Sequence, residues 1–140
     1  MGHPVRYRDD DPLLGRLRTI ALAYPGAEEH VSHGRPMFKA GKLFACWTGM
    51  SKDPHGGPMI QHPQAVLVKV DESDRQALEQ DERTFLPAYF GAMGWLGLDL
   101  TTGPADWDEI AELVDSSYRL IARPTLLRRL EAEGPTVRRG

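Results

Sequence analysis

The sequence predicts a single α+β domain in which helices flank an antiparallel β-sheet, in the order α-β-β-β-β-α-β-α-α. Its short apolar segments are joined by turns of two or three residues, which connect antiparallel strands and are too short for parallel crossovers. One-sided apolar stripes at helical spacing lie near both ends of the chain. A chain of 140 residues is the length of one domain, which we place at 11–133, between a disordered N-terminal tail at 1–10 and a C-terminal tail at 134–140.

The first helix is predicted to begin at Pro12, because Asp10 or Asp11 can cap it and proline suits the first helical turn. It should end near Tyr24, since the following Pro-Gly pair breaks helices. Its apolar side chains recur at intervals of three and four and form one stripe. The stripe consists of Leu13, Leu14, Leu17, Ile20 and Ala21.

Three short strands are predicted between Glu28 and Thr48, and this stretch holds most of the residues that could have a binding or catalytic role. They are predicted at 28–33, 37–40 and 43–48, with turns at Gly34-Arg35-Pro36 and Gly41-Lys42. Turns this short imply that the three strands are successive antiparallel hairpins.

The third of these strands is apolar on both faces. Strand alternation puts Leu43, Ala45 and Trp47 on one face, and Phe44 and Cys46 on the other. A strand of this kind is predicted to be central in the sheet and covered on both sides.

The rest of the chain is predicted as one long loop followed by two strands and three helices. The loop at 49–64 is long for a compact domain, and such loops are often functional or disordered. The remaining elements are a strand at 65–70, a helix from Ser73 to about Gln80, a strand at 95–100, a helix capped by Asp106 and a short helix at 125–133.

The composition is that of an ordinary globular protein with a net charge of −3, which argues against nucleic acid as the main partner. No apolar run approaches the roughly 18 residues of a membrane span, so no membrane contact is expected. The charged N-terminus lacks the apolar segment of a secretory signal. Because the one cysteine, Cys46, cannot form an internal disulfide, we expect a cytoplasmic protein.

Several blocks of the sequence occur in the order found in a known family. They are 25–29 (PGAEE), 34–39 (GRPMFK), 41–45 (GKLFA), 66–71 (VLVKVD), 86–91 (LPAYFG), 94–98 (GWLGL), and 112–122, which begins with Glu-Leu and ends with YRLIA. From about Leu13 to Leu130 the chain resembles the MmcQ/YjbR-like family. The resemblance implies a small bacterial protein with an antiparallel sheet flanked by helices. The family is commonly labelled DNA-binding, on the proposal that paired hairpins act as wings, and it carries no catalytic motif.

The first functional hypothesis is therefore DNA binding through a basic hairpin face. Its candidate residues are Arg35, Lys39 and Lys42, with Lys52 and Lys69 in support. A cation at a hairpin turn can contact phosphates, and Arg35 could also form two bonds to a guanine edge. The alternative is that these lysines protect an edge strand from aggregation.

The second hypothesis is a protein- or small-molecule-binding module with an aromatic groove. The candidate residues are Trp47, Tyr89, Phe90 and Trp95, which include rings beside glycine-rich bends. The alternative is that these rings fill the core. Two or more exposed rings in one concavity would favour the groove.

The sequence predicts no metal site, no cofactor and no catalytic site, so we expect a protein that is not an enzyme. His30 and His33 lie three apart on a strand and face opposite sides, and His55 and His62 lack the spacing of a zinc motif. Cys46 with His33 could form a nucleophile–base pair, but a cysteine in an apolar strand is usually inert. The short motifs of serine hydrolases, P-loops and dinucleotide-binding folds are absent from the sequence.

Overall fold

A computed structural model describes residues 7–136 and confirms the α+β fold. The helices are α1 (Pro12–Ala21), α2 (Glu72–Glu79), α3 (Trp107–Ile121) and α4 (Pro124–Glu133), with a 3₁₀ helix at Gly91–Met93. The strands are β1 (Glu28–Ser32), β2 (Arg35–Ala40), β3 (Lys42–Ser51), β4 (Ile60–Lys69), β5 (Thr84–Phe85) and β6 (Trp95–Asp99). None of the helices within 7–136 is long and apolar enough to cross a membrane.

All six strands join one antiparallel sheet in the order β1-β2-β3-β4-β6-β5. The strands β1 to β3 are successive hairpins, as their short turns predict, and β4 pairs antiparallel with β3 across residues 52–59. The strand β5 lies in a segment, 84–87, whose sequence reads as irregular or as a short extended piece. It pairs through Thr84 with Leu98 and through Phe85 with Gly97, which makes β5 one edge of the sheet.

One face of the sheet, the helix face, packs against α1, α3 and α4 and forms the main core. Two buried residues of α3 fix the helix to the sheet and to the connection between α1 and β1. The Ser117 hydroxyl donates to the Phe44 carbonyl at 2.6 Å and accepts the Lys69 N–H at 3.0 Å. The Tyr118 hydroxyl donates to the Pro25 carbonyl at 2.7 Å. Because these buried polar groups all have partners, they cost little and set where the helix lies.

The opposite face, the distal face, carries a second and smaller apolar cluster. It consists of Met37, Cys46, Ala65, Leu67 and Trp95. Residues 85–93, the cover segment, lie against it, and Phe85 and Phe90 of this segment pack on the cluster. The sheet is thus covered on both sides, as the apolar strands predict.

A β-bulge in β3 reverses the predicted orientation of two side chains. Phe38 pairs with Ala45 but Lys39 pairs with Leu43, so Phe44 is an extra residue in β3. Phe44 therefore lies in the main core beside Ala45, and Leu43 packs against the distal cluster. The prediction from strict alternation was wrong because a bulge changes the phase of the strand.

The prediction of a long loop at 49–64 was wrong at both of its boundaries. The strand β3 continues to Ser51 and β4 begins at Ile60, so only a short connection remains between them. A register shift around Thr48, whose φ is +72°, lets the two strands pair beyond the predicted end. It places His62 beside the end of β3.

Both predicted tails contact the domain where they are described. At the N-terminal end Tyr7 packs against the main core. At the C-terminal end the Thr136 N–H donates to the Ala23 carbonyl at 2.8 Å. The rest of the tails, 1–6 and 137–140, lies outside the described residues.

Candidate functional site

Arg35, the leading candidate for a phosphate contact, lies inside the protein. It is only 7% exposed, and its Nη1 donates to the Thr48 carbonyl at 2.6 Å. Its Cζ lies 5.0 Å from the centre of the Phe90 ring, a cation–π contact. Its predicted place in a turn was wrong, because the reversal takes only His33 and Gly34, both at positive φ. Arg35 therefore helps to hold the cover segment against the sheet.

The four candidate lysines do not form one face. Lys39 and Lys42 are exposed on either side of the β2–β3 turn, and Lys39 pairs with Glu28 of β1. Lys52 follows the other end of β3, about 30 Å from Lys42 at roughly 3.3 Å per strand residue. Lys69 is half-buried at the end of β4. The structure thus brings together only Lys39 and Lys42 of the predicted cations.

The predicted groove around Trp47, Tyr89 and Trp95 does not form, because the tryptophans lie on opposite faces of the sheet. Trp47 is fully buried in the main core, whereas Trp95 is 5% exposed in the distal cluster. Phe90 packs on Trp95 with ring centres 5.6 Å apart. Tyr89 is the exposed member of the four candidates, at 77%. Its ring lines a different groove.

A groove of about 610 Å³ lies between the end of the β3–β4 hairpin, α2 and the cover segment. We name it the Ser51 groove. Most of its wall is apolar, two cations line it, and none of its described lining residues is a carboxylate. Its lining includes Ser51, Lys52, Arg75, Phe85, Leu86 and Tyr89. This size and composition are typical of sites for small molecules.

Ser51, His62 and Asp99 form a continuous hydrogen-bond relay beside this groove. The Ser51 hydroxyl lies 2.9 Å from His62 Nε2, and His62 Nδ1 lies 2.8 Å from Asp99 Oδ2. The other carboxylate oxygen, Oδ1, accepts the Thr101 N–H at 2.8 Å and the Thr101 hydroxyl. The three residues come from β3, β4 and β6, which are neighbours in the sheet. An alcohol, an imidazole and a carboxylate in this order can activate the alcohol as a nucleophile.

The proton positions in the relay follow from the charge of Asp99. Burial raises the pKa of Asp99, but hydrogen bonds from His62 and Thr101 outweigh burial and hold the pKa below its ordinary value. An ionised carboxylate can only accept, so His62 Nδ1 carries a proton and donates it. With Nδ1 facing Asp99, Nε2 is the ring nitrogen that faces the Ser51 hydroxyl.

Phe85 holds the His62 ring in place. The two rings are nearly parallel, at 8°, with centres 3.7 Å apart. Phe85 can lie there because its partner in β6 is Gly97, where a Cβ would overlap the Phe85 ring. At Gly49 a Cβ would lie 2.8 Å from Leu67 Cδ1 and 3.3 Å from Phe85 Cε2. Two glycines thus leave the space that the Phe85 ring occupies.

The other residues considered for chemistry do not converge. Within 7–136, no group of three or more His, Cys, Asp or Glu side chains is placed to hold a metal ion. His30 Nε2 contacts Glu28 Oε2 at 3.2 Å on the exposed strand β1. Cys46 is fully buried, and burial raises the pKa of its thiol to about 12. A thiol in that state is a packing group rather than a nucleophile.

Sequence reasoning missed the relay because its members are separated by 11 and 37 residues and no short motif contains them. Strict alternation from Ala65, which pairs with Asp99, would put His62 on the helix face. The register shift around Thr48 turns His62 to the distal face instead. The one signal of this shift in the sequence is Pro63, because a proline inside a strand is typical of irregular pairing.

Comparisons with known proteins agree with the fold. The YjbR family model matches residues 22–120, most of the chain. A crystal structure of the Deinococcus radiodurans protein DR2400, described with the family-model domain DUF419, is similar with a TM-score of 0.55 and 18% identity. The similarity covers 91% of this chain and 95% of that one, and at this identity it shows the fold alone. No curated protein matches the sequence. The chain belongs to the YjbR family, as its sequence blocks indicate.

Proposed function

We propose that the protein is a small-molecule-binding module whose ligand is a small carboxylic acid with an apolar chain, held in the Ser51 groove. The observation that carries the proposal is that an apolar wall and two cations, Lys52 and Arg75, line one groove. This groove takes the place of the aromatic groove predicted from the sequence. Its rings are Phe85 and Tyr89 rather than the buried tryptophans.

The carboxylate of the ligand is expected to bind at Arg75. Its Nε donates to Glu79 Oε1 at 2.7 Å, which orients the guanidinium. A guanidinium has five N–H donors, so capacity remains for two parallel bonds to a carboxylate. The Arg75 side chain is only 18% exposed, and its ion pair with Glu79 uses Nε, so the ligand carboxylate would bind at the Nη groups.

The apolar chain of the ligand is expected to lie along Leu86 and Tyr89. Tyr89 has a φ of +70°, a left-handed conformation that costs roughly 1–2 kcal/mol for a residue with a side chain. This strained backbone presents a ring that is 77% exposed at the edge of the groove. Strained residues concentrate at ligand-binding positions, which supports the assignment of this wall.

Titration with hexanoate tests the proposal. Eight heavy atoms at about −0.5 kcal/mol each give roughly −4 kcal/mol, so we expect a Kd near 1 mM. The measurement is the change in amide chemical shifts around Ser51 and Ala88. Arg75→Gln should weaken binding about tenfold, since a charge-assisted hydrogen bond contributes roughly 1.5–3 kcal/mol. The matched control is Arg128→Gln on the exposed side of α4, and equal affinities of the two variants would contradict the proposal.

DNA binding is the second candidate, supported by the exposure of Lys39 and Lys42 around the β2–β3 turn. Arg35 contributes no surface to it, and Lys52 and Lys69 lie elsewhere. Two phosphate contacts predict that log K falls with log salt at a slope of about −1.8. Binding to a labelled random duplex between about 50 and 200 mM salt measures this slope. The variant with both Lys39→Gln and Lys42→Gln should lose the binding, and unchanged affinity would remove this candidate.

A further inference from the structure

We propose that the Ser51 groove is also a hydrolytic site, in which Ser51 is the nucleophile that cleaves esters of small carboxylic acids with apolar chains. The inference rests on the proposed function, because the acid bound in the groove is the product of this reaction. It departs from the expectation, drawn from the missing sequence motifs, that the protein is not an enzyme. Its basis is that Ser51, which lines the groove, is one end of the relay with His62 and Asp99.

In the relay, the base His62 is shielded from solvent, whereas the nucleophile Ser51 lies at the groove. The His62 and Asp99 side chains are only 14% and 16% exposed, and Phe85 stacks on the His62 ring. Ser51, in contrast, lines the groove that a substrate would enter. Burying polar side chains is costly unless each finds a partner, and here every step of the relay is satisfied. The preorganised order of hydroxyl, imidazole and carboxylate is what nucleophilic catalysis by serine requires.

In the first half of the reaction, Ser51 takes the acyl group. Its Oγ attacks the ester carbonyl carbon while its proton moves to His62 Nε2, which gives a tetrahedral oxyanion. Asp99 stabilises the imidazolium through Nδ1. The oxyanion then collapses, the bond from carbon to the alcohol oxygen breaks, and His62 returns the proton to the departing alcohol. The products are the alcohol and an acyl ester on Ser51.

In the second half, water releases the acid. His62 Nε2 accepts a proton from a water molecule as its oxygen attacks the acyl carbon. The bond to Ser51 Oγ breaks, and His62 returns the proton to that oxygen. The free carboxylic acid remains in the groove, and the relay is restored.

Arg75 and Lys52 are the cations in the groove that can stabilise the negative charge formed in both halves. They hold the product carboxylate for the same reason, so a single electrostatic feature serves binding and chemistry. The apolar wall at Leu86 and Tyr89 selects an acyl chain without charge. These features indicate an apolar acyl group as the part of the substrate that lies in the groove.

The experiment combines an active-site probe with a chromogenic ester. An alkyl fluorophosphonate is incubated with the wild-type protein, and the modified residue is located by mass spectrometry of its peptides. Hydrolysis of p-nitrophenyl hexanoate is followed in the wild type and in Ser51→Ala, with hexanoate binding measured in both. The matched control is Ser32→Ala, which removes a hydroxyl 2.9 Å from His33 Nδ1 at the end of β1, at a residue that does not line the groove.

We expect a phosphonate adduct on Ser51, and ester turnover that falls at least about 100-fold in Ser51→Ala and is unchanged in Ser32→Ala. Asp99→Asn, a change at a positioning residue, should lower kcat by at least about 100-fold with little change in KM, because it favours the wrong His62 tautomer. The adduct is mapped on the wild-type protein, so a variant that folds poorly does not affect that result.

Two outcomes overturn the inference and separate it from the proposed function. If hexanoate binds but no adduct forms on Ser51 and Ser51→Ala hydrolyses the ester as fast as the wild type, hydrolysis is excluded and the binding function stands. If hexanoate does not bind and Ser51 is not modified, both are excluded.

Discussion

Replacing Trp95 with alanine is expected to lower the free energy of unfolding by about 3–5 kcal/mol. The indole is 5% exposed and packs against Phe90, whose ring in turn contacts the Arg35 guanidinium. Its removal would leave a cavity between the sheet and the cover segment, and would weaken the contacts that hold this segment down. Urea unfolding followed by circular dichroism measures the change.

Tyr89→Ala is the matched control for this prediction, because Tyr89 lies in the same segment but is 77% exposed. We expect it to change stability by less than about 0.5 kcal/mol and to weaken hexanoate binding. If Trp95→Ala melted like the wild type while Tyr89→Ala unfolded, the division between core rings and ligand-facing rings would be wrong.

Gly97→Ala should destabilise the protein by about 1–3 kcal/mol, although alanine is normally better tolerated than glycine inside a strand. The reason is that a Cβ at this position would overlap the Phe85 ring. The ring cannot move away freely, because it is stacked on His62 at a centre-to-centre distance of 3.7 Å. Displacing Phe85 would also release the His62 ring, so we expect ester turnover to fall together with stability.

A double-mutant cycle identifies the cause. In a Phe85→Ala background the cost of Gly97→Ala should fall to nearly zero or become a gain of up to about 1 kcal/mol, since the overlap is gone and the strand favours alanine. Chemical denaturation of the four proteins gives the coupling energy. An equal cost in both backgrounds would show that Phe85 is not what Gly97 accommodates.

The parts of the fold that follow a regular period were predicted from the sequence. The apolar stripe of α3 and its cap at Asp106, which accepts the N–H groups of Asp108 and Glu109, are as expected. The strands predicted at 65–70 and 95–100 are also present, and their side chains alternate between the two faces of the sheet. In these elements local spacing alone decides which side chains meet the core.

The candidate site could not be predicted, because it depends on two departures from that period. The extra residue at Phe44 and the register shift around Thr48 each change which side a residue faces. His62 reaches Asp99 only through the second of these. Burial of Arg35 was missed for a related reason, since a basic residue beside a glycine reads as an exposed turn. Tertiary contacts with Phe90 and Thr48 decide otherwise.

Because Cys46 is buried, the rate at which its thiol is modified can report how often the structure around it opens. Thiol reagents attack the thiolate, and a thiol with no exposed surface and a pKa of about 12 presents almost none while the sheet is intact. Modification of Cys46 therefore requires that the cover segment leave the distal cluster or that the sheet itself open, and the modification rate reports these openings. A cysteine introduced beside the Ser51 groove can be labelled with a dye while the buried Cys46 does not react. Ligand entry at the groove and opening of the structure around Cys46 can then be measured separately in the same molecule.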